Sequence, residues 1–294
     1  MKKNDFCGIV LAGGSGSRLF PITKAISKQL IPIFDKPLIY YPISTLMLAG
    51  IRDILIICTE NDLDSFKRLL GDGSSLGVSF QYIVQDEPRG IAEAFILGSD
   101  FIALRNVCLI LGDNIFYGSG ISAKLKEVCS DFYGATVFGH HVSDPQRFGV
   151  AEIDDNNKVI RIEEKPKNPS SNLAITGLYF YDNDVVDIAR NLKPSNRNEL
   201  EITDVNNSYL NKNNLNLEIL PRGHTWLDTG TVPSLHEAAN FVQAIQTQQG
   251  FMIACLEEIA YKQKWISKEA LTNQINKYDK SSYGNYLKRI YQVL

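Results

Sequence analysis

Between Gly8 and Pro32 the chain reads GIVLAGGSGSRLFPITKAISKQLIP, and this stretch holds the residue types best suited to handling phosphate. The apolar run Ile9-Val10-Leu11 opens into Gly13, Gly14 and Gly16, with Arg18 next and Lys28 ten residues further on. Glycines, lacking Cβ, let backbone amides turn toward a phosphate at close range. A guanidinium and an ammonium add the positive charge a polyphosphate needs. Neither familiar phosphate loop is present. A Walker loop ends in Gly-Lys-Ser/Thr, but Arg18 stands five residues after Gly13; the dinucleotide fingerprint needs a third glycine where Leu19 stands. A tight turn with incidental basic residues is the bland alternative.

Carboxylates stand where they could complete such a site. Asp113 in L-G-D-N and Asp228 in W-L-D-T-G each follow an apolar run, so each side chain can reach the rim of a sheet. Nucleoside triphosphates bring Mg2+, which takes carboxylate and water oxygens. Either aspartate alone reads equally well as a turn residue. Glu163-Glu164-Lys165-Pro166 reads as a solvated hairpin end, or, beside a sugar phosphate, as Lys165 holding phosphate and Glu164 accepting hydroxyls. The adjacent His140 and His141 point to opposite faces of a strand, and with His224 and His236 they make no metal spacing. No Ser/His/Asp or Cys/His arrangement suggests covalent catalysis.

The elements that must carry these groups follow from hydrophobic period and punctuation. Apolar runs at Ile54–Cys58, Val78–Val84, Val107–Leu111, Ala135–Val142, Asn172–Tyr181, Leu215–Leu220 and Thr225–Leu227 predict strands. Helices are predicted within Leu38–Gly50 and over Leu63–Leu70, Gly90–Ile102, Lys124–Cys129, Glu199–Leu210 and from Pro233 to about Gln249, with another beginning at Asp182. Gly149–Ile153 and Val159–Glu163 read as a hairpin. Alternating strands and helices mean crossover units, hence a Rossmann-like, mainly parallel α/β sheet flanked by helices. Ligands bind such sheets at the strands' carboxyl ends, where Gly13, Gln85 and Asp113 fall. From Phe251 the chain reads as wholly helical, over Leu256–Lys264, Lys268–Ile275 and Tyr283–Val293. We divide it into an α/β core at 1–250, with a nucleotide-binding part at 1–142 and a sugar-binding part at 143–250, and a helical segment at 251–294.

Composition sets the outer bounds. A chain of 294 residues, 44% hydrophobic and 21% charged, can bury a full core. A net charge of −3 without a basic block argues against a nucleic-acid footprint. Five cysteines with no C-x-x-C read as buried thiols in a reducing compartment. Asp5 interrupts the basic start and the apolar run after it is short, so MKKNDFCGIVLAG is not read as a signal peptide. No run reaches the roughly 18 apolar residues of a membrane span, and the cytoplasm is the expected location.

L-A-G-G-x-G-x-R-L, with lysine downstream in S-K-Q-L-x-P, resembles the signature of the sugar-1-phosphate nucleotidylyltransferases. D-K-P-x-I-Y-Y-P (Asp35 to Pro42), L-G-D-G (Leu70 to Gly73), L-G-D-N, E-E-K-P, T-G-L-Y-F-Y-D, E-L-E-I-T-D and W-L-D-T-G are similar to segments of the glucose-1-phosphate thymidylyltransferases. The tail, with E-E-I-A-Y-K-Q-K-W-I and Y-G-x-Y-L, is similar to their short bacterial form. The resemblance implies a nucleotidyltransferase (GT-A-like) sheet. Leu11, Gly13, Gly14, Gly16 and Ser17 would line the triphosphate, with Arg18 and Lys28 as the catalytic cations. Gln85 and Gly90 would read thymine, with Gln29 nearby. Asp113 and Asp228 would hold Mg2+. Asn114, Gly149, Glu164 and Ile175 would contact glucose, and Lys165 and Arg197 its phosphate. The partners implied are dTTP, glucose 1-phosphate, dTDP-glucose and pyrophosphate, on the way to dTDP-rhamnose and other deoxysugars, in a homotetramer. Regulatory product binding would fall near Glu258, Ile259 and Lys262. Three residues depart from the family pattern: Phe148 where tyrosine is usual, Arg89 for an acidic or small residue, and Ser17 for threonine.

A sugar phosphate is already an anion at neutral pH and needs no general base. The expected catalysis is therefore alignment plus charge neutralisation. The alternatives are a pyrophosphorylase for another base or sugar (UTP, mannose 1-phosphate), a metal-dependent glycosyltransferase, which would carry Asp-x-Asp where Asp113-Asn114 stands, and a non-catalytic nucleotide-sugar sensor.

Overall fold

The computed structural model describes residues 5–14, 16–130 and 132–293. Strand β1 (Phe6–Leu11) is buried along its length, as a central parallel strand must be. Ile9 packs into one hydrophobic cluster and Val10 into another on the opposite face, the two-residue period of a pleated strand. Beyond the glycine loop, 3-10 turns at Ser17–Leu19, Ile22–Lys24 and Lys28–Leu30 lead to a two-residue hairpin, β2 (Pro32–Ile33) and β3 (Lys36–Pro37). Helix α1 (Tyr40–Leu48) carries Pro42 in its first turn, where a missing N–H costs nothing. Then come β4 (Asp53–Cys58), α2 (Glu60–Leu70), β5 (Ser79–Val84), α3 (Glu93–Leu97), α4 (Ser99–Ile102), β6 (Asn106–Leu111), β7 (Asn114–Tyr117) and α5 (Ile121–Ser130). In α2, acids in the first turn and Lys67 and Arg68 in the last complement the helix dipole.

The second half holds β8 (Ala135–His141), the hairpin β9 (Gly149–Ile153) and β10 (Val159–Glu164), β11 (Leu173–Tyr181), α6 (Val185–Arg190), α7 (Ile202–Asn211), β12 (Leu215–Ile219) and β13 (Thr225–Asp228). The long α8 (Val232–Gln249) starts on a Thr231/Ser234 capping box and stops at Gly250, φ 72°. Three helices close the chain: α9 (Leu256–Lys262), α10 (Lys268–Lys277) and α11 (Ser282–Val293).

Nine strands form one mixed sheet in the order β10-β9-β11-β6-β1-β4-β5, with β8 also pairing β11 and β12 beyond it. β6, β1, β4 and β5 run parallel, and β11 is antiparallel to β6 and β8. The expected α/β architecture and helical C-terminus are present. One face of the sheet is packed by Ile43, Leu46 and Phe66, the other by Phe95, Tyr181 and Tyr209.

Four local expectations need correction. The span Gly90–Ile102 is two short helices broken at Gly98, where a Cβ would come within 3.1 Å of Ile9 and 3.2 Å of Leu55, so the chain hugs the sheet there. The helix expected from Asp182 starts at Val185, because Asp182 is taken up by the Tyr209 hydroxyl at 2.6 Å and the Asp184 N–H at 3.2 Å. The helix expected from Glu199 starts at Ile202, because Leu200 is drawn out to bond Arg89 O at 2.7 Å. Finally, the strand ending at Asp228 is outside the main sheet. Among the described residues β13 pairs only with β7, a strand missed in the sequence, with Asp228 opposite Asn114.

Candidate active site

The parallel strands all point their carboxyl ends at one rim, and the glycine loop leaves from the middle of it. Leu11 pairs with Leu111 and with Ile57, so Gly13 and Asp113 emerge side by side. A Cβ at Gly13 would lie 2.2 Å from Gln85 Oε1, so any larger residue there would push the Gln85 amide aside. Gln85, nearly fully buried, is aimed by Glu93, which accepts its Nε2–H at 2.7 Å. Gly90, at φ 103°, lets the next loop lie on Leu200, whose carbonyl oxygen would be 2.4 Å from any Cβ.

Asp113 is reached from three directions. Lys28 Nζ donates to its Oδ2 at 2.5 Å. Asn114 Nδ2 donates to its Oδ1 at 2.8 Å, and Thr229 ties down its backbone carbonyl through N–H and hydroxyl bonds of 3.1 and 2.8 Å. The β7–β13 ladder brings Asp228 alongside. Arg147 donates to Asp228 Oδ2 at 3.1 Å and to Asp144 at 2.8 Å, with its guanidinium over the Phe148 ring. Burial, then the charge of Asp113, pushes the Asp228 carboxyl up to about 6, with Lys28, Arg147 and Arg18 pulling the other way. Arg18 is exposed on its 3-10 turn and has no salt bridge among the described residues.

The opposite wall carries a second set of charges. Arg197 is gripped side-on by Glu201, Nε to Oε1 at 3.1 Å and Nη2 to Oε2 at 2.6 Å, and also faces Glu164 and Glu199 at 3.3 Å. Thr203 donates to Glu164 at 2.6 Å, and Lys165 sits 3.4 Å from the same carboxylate. Gly149 keeps this corner open, with Glu164 Oε2 3.5 Å from where its Cβ would be.

Two cavities of about 200 Å³ each share Ile91, Glu164, Lys165 and Ile202 and so form one cleft. Leu11, Gly13, Gly14, Gln85, Gly90 and Arg197 line one part. Arg18, Asn114, Phe148, Gly149, Ile175 and Asp228 line the other, with Trp226. A third cavity, of about 530 Å³, adjoins at Gly14, Gln85 and Pro88 and is lined by Lys28. Gly16 and Ser17 lie on the loop beside the cleft; Gly16 accepts the Thr23 hydroxyl at 2.7 Å.

Gln29 is not brought to the cleft. It is buried behind Gly112 and accepts the Ser27 hydroxyl at 2.8 Å. Arg89 points outward to Glu87 at 3.6 Å. Glu258 is buried in α9, accepting the Tyr286 hydroxyl and Lys262 at 2.6 Å, while Ile259 packs on the core and Lys262 is half exposed. Arg147, Glu201, Thr203 and Glu93 were given no role by sequence reasoning. Of these, Glu201 and Thr203 lie inside the E-L-E-I-T-D motif, and Arg147 is one residue before the noted Phe148.

Among the described residues no group of three or more His, Cys, Asp or Glu is assembled for a metal. Two adjacent carboxylates with the rest of the shell left to phosphate and water suit Mg2+, which keeps several waters and shares ligands with substrate phosphates. Among the described residues, too, no helix is long and apolar enough to cross a membrane.

A parallel-centred sheet with a glycine loop, two cations and two carboxylates at its rim defines an enzyme class that moves nucleotidyl groups between phosphates. The chain belongs to the nucleotidyl transferase family, whose model matches residues 7–245. It is 56% identical to the glucose-1-phosphate thymidylyltransferase of Neisseria gonorrhoeae over 95% of this chain and 97% of that one. Against the enzyme of that name from Mycobacterium tuberculosis it is 52% identical over 95% and 97%. A Bacillus anthracis crystal structure described as a glucose-1-phosphate thymidylyltransferase in complex with sucrose is 44% identical, with a TM-score of 0.75 covering 80% of this chain and 94% of that one. A UDP-glucose pyrophosphorylase complexed with UDP-glucose is 25% identical, with a TM-score of 0.72 covering 82% and 99%.

Proposed function

We propose that this chain transfers the thymidylyl group of dTTP to glucose 1-phosphate, giving dTDP-glucose and pyrophosphate. The reading is supported by the name its 47–56% identical relatives carry. The observation that carries it is that Arg18 and Asp228 face the Glu164–Lys165–Arg197 wall across one cleft, with the Lys28–Asp113 pair joined at 2.5 Å beside it and Lys28 lining the adjoining cavity.

A phosphate oxygen of the sugar phosphate attacks the α-phosphorus, and the bond from that phosphorus to the bridging oxygen breaks as pyrophosphate leaves. The nucleophile is an anion, so no base is required, and the barrier is repulsion and alignment. Arg18 is free to meet the triphosphate. Lys28 can move from Asp113 Oδ2 to a phosphate oxygen once the carboxylate has another partner. Asp113 and Asp228 would hold Mg2+, which when bound neutralises phosphate charge. Lys165 and Arg197 take the sugar's phosphate, and Glu164, fixed by Thr203, takes a hydroxyl.

Pyrophosphate release should be measured with dTTP, UTP, ATP and GTP, each with glucose 1-phosphate and mannose 1-phosphate. The expected result is strongest release with dTTP and glucose 1-phosphate; preference for UTP would move the chain to the uridylyl branch, and no release with any pair would end the reading. Lys28→Ala should lower turnover by about 100-fold or more with an unchanged unfolding transition. Normal turnover in that folded variant refutes the role.

A further inference from the structure

Three segments far apart in the chain converge on one side chain, the carboxamide of Asn114. Its Oδ1 accepts the Trp226 Nε1–H at 2.6 Å and the Gly177 backbone N–H at 3.1 Å. Its Nδ2 donates to Asp113 Oδ1 at 2.8 Å. Asn114 is 1% exposed, and a Cβ on Gly177 would stand 2.4 Å from its Oδ1, so glycine is needed for the approach.

An Asn carboxamide can in principle turn over, exchanging its oxygen and NH2. Here the turned form would set an oxygen against the Asp113 carboxylate and an NH2 against two N–H donors. Each buried mismatch of that kind leaves a desolvated polar group unpaired and is strongly disfavoured. Trp226 and Gly177 therefore decide which end of Asn114 faces Asp113. The indole is held in turn, by Phe148 at 4.9 Å and His140 at 6.3 Å between ring centres.

We propose that Trp226 is a positioning residue for the reaction: through Asn114 it aims a neutral donor at Asp113 Oδ1 and so fixes the carboxylate with Oδ2 turned toward its cation. The backbone of Asp113 is set by Thr229, and the rotation of its carboxylate by Asn114. In the chain alone Lys28 occupies Oδ2. The inference rests on the reading of Asp113 as a metal-holding carboxylate. It also gives roles to Trp226 of W-L-D-T-G and Gly177 of T-G-L-Y-F-Y-D that their motifs alone did not suggest.

The test removes the N–H and keeps the ring. The chain has two tryptophans, so Trp265→Phe leaves Trp226 as the one indole, and it can be replaced biosynthetically by benzothienylalanine, with sulfur in place of N–H. Trp226→Phe, Asn114→Ala, their double variant and Asp113→Ala accompany it. Mn2+ binding to each is followed by water proton relaxation, with thermal unfolding alongside. Loss of the N–H should weaken Mn2+ binding by about tenfold, and the double variant should bind no worse than either single one. Unchanged Mn2+ affinity without the N–H, or losses that simply add, overturns the positioning role while Asp113→Ala still abolishes binding. Should Asp113→Ala bind Mn2+ as the parent does, the metal reading fails and this inference with it.

Discussion

Asp228 is held in the cleft against its own preference. Its carboxyl is raised to about 6 by burial and by Asp113, so the folded chain binds that proton more tightly than the unfolded chain does. By linkage, this contribution to stability is complete below the ordinary carboxylate range and is lost as pH rises through about 6. Above that, the ionised carboxylate is kept at a net cost of up to about 3 kcal/mol, with the help of Arg147 at 3.1 Å already included. Asp228→Asn keeps the shape without the charge. In urea unfolding it should be more stable than the parent at pH 7.5 by about 1–2 kcal/mol, with the gain gone by about pH 4. Activity should fall to background, because the remaining carboxylate would hold Mg2+ alone. Equal stability at both pH values would mean that Asp228 is not desolvated as the geometry says.

At the level of elements, the cleft is a matter of two loops held together. Leu200 N–H bonds Arg89 O at 2.7 Å and Ala92 N–H bonds Leu200 O at 3.2 Å, which fastens the Arg197–Glu201 loop to the loop carrying Gly90. Gly90→Ala meets the Leu200 backbone at 2.4 Å and an unfavourable φ of 103°. It should cost about 1–3 kcal/mol in unfolding and raise KM for the sugar phosphate more than it lowers kcat, since Arg197 moves with Leu200; an unchanged KM would separate the loops. These contacts also explain what could be read in the sequence. Buried strands such as β1 and β6 are announced by apolar runs, and the glycine loop, Asp113 and Asp228 by residue type at a strand's end. β7 was hidden, because a four-residue strand directly after an L-G-D turn has no period of its own. Gly98 reads as an ordinary helix interior until Ile9 and Leu55 are seen against it. Arg147, Glu201 and Trp226 act through partners 81, 4 and 112 positions away, and only Glu201 has a partner near enough for sequence spacing to show it.

On the scale of the whole molecule, the open matter is whether the three terminal helices are an attachment or part of the core. They have a small cluster of their own, built on Leu271, Ile275, Tyr286 and Leu287. Yet Leu256 and Ala260 of α9 belong to the cluster on one face of the main sheet, and Ile253 and Ala254 to the cluster between α8 and the β2–β3 hairpin. Polar groups cross the junction as well. Gln246 accepts the Ile253 N–H at 2.8 Å and Lys36 at 3.2 Å while donating to Asp35 at 2.9 Å, and Lys36 is almost fully buried. Burial of side chains the size of Leu256 and Ile253 is worth about 1.5–3 kcal/mol each, against a total stability of about 5–15 kcal/mol for a typical fold. A chain ending at Gly250 should therefore lose several kcal/mol, expose the underside of α1, and show a broadened or absent unfolding transition with aggregation. A milder cut, ending after Lys277, removes α11 but leaves Leu256 and Ala260 seated. It should keep a cooperative transition at a lower midpoint. If the chain ending at Gly250 instead unfolds cooperatively within a few degrees of the full chain, residues 251–294 are a separable attachment, and the hydrophobic clusters that join them to the sheet contribute little to holding it together.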